Sequence, residues 1–164
     1  MGRRNQENES LWHGYYSNLC IWIHHEEEEG VFDFTGQRNL HRFLELCEKW
    51  QMHVWLRIGP WAHGEARNGG FPDWLLKKGY KLRSDDPDYL ALVERFWKKI
   101  YKEVAGTHCI LGIQVENEYG HVGGLRGAAG GATYADTNKN WQKRLVLRHL
   151  IGQRPDGAVR YLVI

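Results

Sequence analysis

Long apolar segments and a strong charge of one sign are both missing from this sequence. No run of about 18 apolar residues occurs, so we expect no membrane span. The polar start MGRRNQENES does not have the pattern of a secretory signal. Lysine and arginine number 22 against 20 aspartates and glutamates, and this balance gives no reason to expect a nucleic-acid partner. These features leave the compartment unassigned.

Cysteine is scarce, and no metal-binding spacing occurs. The three cysteines lie far apart, at Cys20, Cys47 and Cys109. An odd count without a CxxC pair predicts buried reduced thiols rather than a disulfide set. His24, His25 and His63, together with the acidic run 26–29, fit no standard zinc spacing, and such a run is usually a solvated loop. We therefore expect neither a metal nor a cofactor.

The chain is also short for a barrel. Its 164 residues and 42% apolar composition suit one globular domain, whereas a closed (β/α)8 barrel takes about 250 residues. Apolar periodicity and end signals predict helices over 37–50, 72–78 and 86–106, and buried strands over 19–23, 52–58 and 108–115. Strands that alternate with helices indicate βαβ units, so the predicted fold class is α/β with a parallel sheet.

The sequence changes character after Tyr119. Six glycines fall between 120 and 131, which predicts a flexible loop. From residue 121 onward, seven basic residues stand against two acidic ones. A weak amphipathic helix is predicted over 140–151, and the last apolar piece, VRYLVI, has no evident partner strand.

Polar side chains follow the predicted strands. After the second strand come Arg57, His63 and Glu65, and after the third come Gln114, Glu116, Asn117 and Glu118. Function collects at the carboxyl ends of parallel strands. Two carboxylates at such an edge suit glycoside hydrolysis, in which one acid protonates the leaving oxygen and a second carboxylate attacks or activates water. Carboxylates at loop starts are common, so this pattern alone favours a sugar enzyme only weakly.

Longer strings make the functional prediction stronger. The chain carries WIHHEEEEGVFDFTG, then RIGPWAHGEARNGGFPDWL, then LRSDDPDYL, then ILGIQVENEYG. In this order and spacing they resemble glycoside hydrolase family 35, the β-galactosidases that cleave terminal β-linked galactose with retention at the anomeric carbon. The resemblance covers about residues 21–124 and implies a galactoside-type carbohydrate substrate.

The resemblance also implies roles for four residues. Glu118 matches the general acid/base, and Asn117 matches the residue that hydrogen-bonds the sugar 2-hydroxyl. Glu65 matches a carboxylate that holds sugar hydroxyls, and Gly64 lies beside it where backbone groups face the ligand. From the residues alone, Glu118 could instead be a solvated loop carboxylate and Glu65 a salt-bridge partner of Arg57 or Arg67. Glu116 is expected in the barrel wall or paired with Arg57.

The matched stretch corresponds to strands 2 to 4 of the family's eight-stranded TIM barrel. We therefore predict an unassigned segment over 1–18, a partial barrel domain over 19–124, and a Gly-rich basic tail of unassigned role over 125–164. The family places its nucleophilic glutamate on the seventh strand, so we expect it to be missing from this chain. The unfamiliar sequence at both ends suggests a truncated or frame-altered reading frame.

Two functions follow from this fragment. The first is retaining β-galactosidase-like hydrolysis that uses Glu118 as the acid/base. The second is a catalytically inactive fragment or a sugar-binding remnant of such an enzyme, because double displacement needs a second carboxylate close to the first. Three strands of an open barrel would also leave two sheet edges exposed, so self-association is expected.

Overall fold

The computed structural model describes residues 15–118 and 160–163, which form a parallel sheet with helices between its strands. The strands are β1 (Tyr15–Leu19), β2 (His53–Arg57), β3 (Ile110–Val115) and β4 (Arg160–Val163). Their order in the sheet is β1-β2-β3-β4, and every neighbouring pair is parallel. The described helices are α1 (Trp22–His25), α2 (Leu40–Lys49), α3 (Asp73–Leu76) and α4 (Pro87–Val104). The structure thus has the alternation of strands and helices that the sequence predicts.

The longest helix, α4, begins and ends close to the predicted positions. The Asp86 carboxylate accepts from the backbone N–H of Asp88 at 3.0 Å and of Tyr89 at 3.2 Å, and Pro87 occupies the first helical position. Gly106, with φ of +82°, follows the last turn. Within the described residues, no helix is long and apolar enough to cross a membrane.

The second helix, α2, is shorter than predicted because a capping residue interrupts the pattern. Residues Gly36–Arg38 form a separate 3-10 turn. The side chain of Asn39 then accepts from the backbone N–H of Arg42 at 2.8 Å and fixes the start of α2 at Leu40. Asparagine satisfies an orphan N–H at a helix start better than it fits a helix interior. The short helix predicted over 72–78 is also reduced, to α3.

The first predicted strand, 19–23, is wrong. The strand lies earlier, at Tyr15–Leu19, and Trp22–His25 forms the single helical turn α1. An apolar run shows burial but does not by itself distinguish a strand from a helix, and Cys20 and Trp22 are indeed buried. The true strand was missed because it carries exposed side chains, among them Tyr16 at 52% exposure and Ser17.

The prediction that VRYLVI lacks a partner is also wrong. Arg160–Val163 forms β4 beside β3, with Gly112 opposite Arg160 and Val115 opposite Val163. Pairing between strands this far apart in sequence leaves no local signal in the chain. The predicted glycine-rich loop over 120–131 and the predicted helix over 140–151 lie outside the described residues.

The core lies between the sheet and the two long helices. The sheet contributes Val54, Leu56, Ile113 and Val115, and the helices contribute Leu44, Val93, Phe96 and Ile100, all of them buried. The Trp22 ring of α1 stacks on Phe96 of α4, with centroids 4.9 Å apart and planes 5° from parallel. The core therefore ties the loop after β1 to α4 and supports the carboxyl ends of the strands.

The three cysteines are free and buried, as the sequence predicts. Burial raises the pKa of the Cys20 thiol from its ordinary value of 9.0 to about 12. The folded protein therefore keeps this thiol protonated at pH values where the unfolded chain would ionise it.

We expect stability to fall at high pH because of Cys20. Above pH 9 the unfolded chain loses the Cys20 proton and the folded chain holds it until about pH 12. The free energy of unfolding should then decrease by about 1 kcal/mol per pH unit from this group. Urea unfolding of the wild type and of Cys20→Ala between pH 8 and about pH 11 measures the effect. The variant should lose stability less steeply, and parallel curves would contradict the assignment.

Candidate active site

The polar residues that follow β2 and β3 lie together. Arg57, at the end of β2, donates from Nη2 to Asn117 Oδ1 at 2.8 Å. Gln114, in β3, donates from Nε2 to the same oxygen at 3.2 Å and to the Glu116 carbonyl at 3.1 Å. Arginine can only donate, so the amide of Asn117 has its oxygen toward these residues. The group that Asn117 can offer to a ligand is therefore the Nδ2 donor.

Glu116 is buried and paired with Arg83, a residue to which the sequence gives no role. Its side chain is 1% exposed, and Oε2 accepts from Arg83 Nε at 3.1 Å and from Nη2 at 2.9 Å. The burial agrees with the expected place in the barrel wall, and Arg83 is a cation paired with Glu116, while Arg57 bonds Asn117. A buried carboxylate matched by a buried guanidinium is neutralised in place, which leaves Glu116 unsuited to proton transfer with a ligand.

Glu118 differs from Glu116 in exposure and in its neighbours. Its side chain is 49% exposed, and Oε2 lies 3.1 Å from Nε2 of His63. His63 belongs to the 3-10 turn His63–Glu65 in the loop after β2. From the sequence, His63 is a polar residue after the second strand and a poor candidate for a metal ligand. Nothing in the sequence indicates this pair, whose members are 55 positions apart.

The loop after β2 also carries the other two predicted sugar contacts. The backbone of Glu65 lies in the turn His63–Glu65, within the same loop as His63. The N–H of Gly64 donates to Nδ1 of His63 at 2.6 Å, so this amide is engaged within the chain. Of the Gly64 backbone groups, the carbonyl is the one that remains to face a ligand.

Close packing shapes the rest of this loop. A Cβ built on Gly69, where φ is +62°, would lie 1.8 Å from the Trp61 ring, so only glycine fits there. The Ala62 N–H donates to the Gly69 carbonyl at 2.7 Å and closes the loop on itself. The guanidinium of Arg83 lies 4.8 Å from the centroid of the Trp61 ring. Trp61 is thus packed between the loop and Arg83.

The acidic run after α1 is not wholly solvated, contrary to the expectation. Glu26 is fully buried, and its two oxygens accept from Trp22 Nε1 and from the Gly30 N–H, each at 2.7 Å. Arg95 of α4 forms an ion pair with it. The other three glutamates of the run, residues 27–29, are exposed. The first acid of the run is therefore a structural residue.

His25, next to the acidic run, makes its contacts within the chain. His25 is buried and stacks on Phe34 with centroids 4.5 Å apart, and its Nδ1 lies 3.1 Å from the Asp33 carbonyl oxygen. Burial lowers the pKa of His25, which keeps the ring neutral near pH 7. No group of three or more metal-ligating side chains occurs among residues 15–118 and 160–163.

A parallel sheet with intervening helices and with polar side chains gathered at the carboxyl ends of its strands is the arrangement of (β/α) enzyme domains, in barrels and in open sheets alike. The chain belongs to the glycosyl hydrolases family 35, whose sequence profile matches residues 17–159. The members of this family are glycosidases, the family fold is a TIM barrel, and the family acts on carbohydrates. The resemblance stated from the sequence is thereby confirmed.

Several curated relatives are β-galactosidases. Beta-galactosidase 17 of Arabidopsis thaliana is 43% identical over 109 residues, which cover 62% of this chain and 16% of the relative. The beta-galactosidase of Mus musculus is 38% identical over 107 residues, or 60% of this chain and 16% of the relative. The chain thus spans a small part of the length of the curated relatives it matches.

A solved structure supports the fold. The polyextremophilic β-galactosidase from the Antarctic haloarchaeon Halorubrum lacusprofundi superposes with a TM-score of 0.50 at 20% identity. The superposition covers 88% of this chain and 23% of that chain. At this identity the likeness concerns the fold alone.

Proposed function

We propose that this domain provides the acid/base half of a retaining β-galactosidase site, with Glu118 as the general acid/base. The observation that carries the proposal is the different environment of two glutamates at the end of β3. Glu116 is buried and neutralised by Arg83, whereas Glu118 is half exposed beside Asn117. An acid/base must be reachable by the glycosidic oxygen and by water, and of these two carboxylates Glu118 meets that condition.

The proposed chemistry has two steps. In the first, the Glu118 carboxyl gives its proton to the glycosidic oxygen as the C–O bond breaks and a nucleophilic carboxylate bonds to the anomeric carbon. In the second, Glu118 takes a proton from water, whose oxygen displaces that carboxylate. The resemblance assigns the nucleophile to a later strand, so we propose that it comes from outside these 164 residues.

The remaining sugar contacts come from the loops after β2 and β3. Arg57 and Gln114 both donate to Asn117 Oδ1. Asn117 would therefore donate from Nδ2 to the sugar 2-hydroxyl oxygen. Glu65 would accept from sugar hydroxyl groups, and Gly64 would contact the ligand through its carbonyl. These contacts would orient the anomeric carbon toward Glu118.

We also propose that the partial barrel domain predicted over 19–124 holds barrel strands 2 to 4, with the first of them, β1, beginning earlier at Tyr15 and with the tail 125–164 adding β4 to the sheet. Among the described strands, β1 pairs on one side only, with β2, and Tyr16 on it is 52% exposed. An edge of this kind favours self-association. Sedimentation velocity should show oligomers, and a monodisperse monomer with a sharp cooperative melt would contradict this.

The test of the function is hydrolysis of aryl β-galactosides by the purified chain, with and without added sodium formate. Formate can attack the anomeric carbon in place of the nucleophilic carboxylate, and the galactosyl formate then hydrolyses. Formate-dependent release of the aryl alcohol supports the proposal. Saturable galactose binding without turnover supports the alternative of a sugar-binding remnant. Absence of both overturns these two functions and supports the inactive fragment.

A further inference from the structure

Arg83 lies at the centre of the contacts beneath the candidate site. It belongs to the segment between α3 and α4, and it is 2% exposed. Its backbone has φ of +54°, a conformation that residues other than glycine rarely adopt. A long cationic side chain is almost never buried to this degree unless it is paired. The arginine therefore makes specific contacts that compensate its burial.

The guanidinium joins two consecutive residues at the end of β3. Nε and Nη2 donate to the Glu116 carboxylate, and Nη2 also donates to the main-chain carbonyl of Asn117 at 3.1 Å. The carbonyl of Asn117 belongs to the peptide unit that leads into Glu118. Arg83 thus contacts the backbone that sets the direction of the candidate acid/base.

The backbone that Arg83 contacts is not extended. Glu116 has φ of +62° and Glu118 has φ of +47°, both in the left-handed region. Such conformations cost free energy outside glycine and persist where surrounding contacts hold them. The Glu116 N–H donates to the Gly59 carbonyl at 2.8 Å, and Trp61, from the same loop, covers the guanidinium. The loops after β2 and β3 therefore meet at Arg83.

We propose that Arg83 is a positioning residue for the Asn117–Glu118 dipeptide. It holds the Asn117 carbonyl and the Glu116 carboxylate in one fork, so that Asn117 and Glu118 leave the strand in a single orientation. A role of Arg83 in catalysis rests on the proposed function of Glu118. A role of Arg83 in ordering the dipeptide depends only on the contacts that Arg83 makes.

The test separates positioning from charge compensation by removing both partners of the ion pair. In Arg83→Met/Glu116→Met the buried carboxylate and its guanidinium are removed together, and replacement of a buried ion pair by apolar residues of similar volume is often neutral for stability. The donor to the Asn117 carbonyl is lost. The Asn117 N–H also loses its acceptor Glu116 Oε2, at 3.4 Å, so the Glu118 amide, which shares a peptide unit with that carbonyl, is the signal that reports on Arg83. Arg42→Met/Glu45→Met, which removes an exposed ion pair of α2 with a 3.0 Å separation, is the matched control.

The full chain is compared by thermal melting, by the amide NMR signal of Glu118, and by galactose titration. We expect the Arg83/Glu116 double variant to melt close to the wild type, to shift or broaden the Glu118 amide signal, and to bind galactose about 10- to 100-fold more weakly. The α2 control should leave all three unchanged. An unchanged Glu118 amide signal in the double variant would overturn the proposal.

Two further outcomes are decisive. If the double variant does not fold, Arg83→Lys keeps the positive charge beside Glu116 but removes the planar fork, and unchanged Asn117 and Glu118 signals in that variant would overturn the proposal. If the wild type neither binds galactose nor turns over a galactoside, the proposed function fails. The amide signals then still decide whether Arg83 orders the dipeptide.

Discussion

Glu118→Gln is expected to lower formate-dependent release of 4-methylumbelliferone from its β-galactoside by about two to four orders of magnitude. Glutamine keeps the size and the polar character of the side chain, but its amide protons are not acidic enough to be transferred to the leaving oxygen. The same variant should change the release of 2,4-dinitrophenol far less, because this leaving group departs as a stable anion without protonation. The comparison of the two leaving groups by initial rates measures the acid role separately from binding.

Two results would contradict this role of Glu118. An equal loss on both substrates would indicate a role in binding or folding, and no loss on either would remove Glu118 from the chemistry. Glu27→Gln is the matched control, since Glu27 is 69% exposed and lies in the acidic run after α1. It should leave both rates unchanged.

Glu26→Ala is expected to reduce the free energy of unfolding by about 3 kcal/mol. The substitution removes the acceptor of the Trp22 indole N–H and of the Gly30 amide, and it leaves Arg95 without its carboxylate. The Arg95 side chain is 34% exposed, so water partly replaces the lost partner and the expected cost lies at the lower end for a buried pair. Urea unfolding followed by tryptophan fluorescence measures the change.

The control for Glu26 comes from the same run of acids. Glu27→Ala removes an exposed carboxylate whose Oε2 lies 4.0 Å from Arg38, and such a pair contributes little. Its unfolding curve should match the wild type within about 0.5 kcal/mol. A similar cost for the two substitutions would show that burial of Glu26 does not set its contribution.

The parts of the fold that could be predicted are those with a local signal. The apolar periodicity and the Asp86–Pro87 start define α4, and the apolar runs around Val54 and Ile113 define β2 and β3. The loop after β1 could not be predicted, because the apolar residues around Trp22 are buried equally well by a helical turn as by a strand. Local patterns report burial, and the choice between helix and strand here depends on packing against α4.

The candidate site was predictable only in part for the same reason. The string around Glu118 indicates the residue that resembles an acid/base, and the proposal for it still rests on that string and on exposure. Nothing in the string distinguishes Glu116 from Glu118 by environment, because the partner of Glu116 is Arg83, 33 positions earlier. Glu26 likewise looks like its three acidic neighbours until the fold brings Arg95 to it.

The left-handed backbone at Glu118 restricts which substitutions can be interpreted. Side chains branched at Cβ are genuine outliers at positive φ, so valine, isoleucine or threonine at this position would alter the path of the chain as well as the chemistry. A loss of activity in such a variant could come either from the altered chain path or from the altered side-chain chemistry. Glutamine, which is unbranched at Cβ, and aspartate or asparagine, which tolerate this conformation, vary the functional group while the main chain stays in place. Mutational tolerance at residue 118 is thus set by main-chain geometry as well as by the proposed proton transfer.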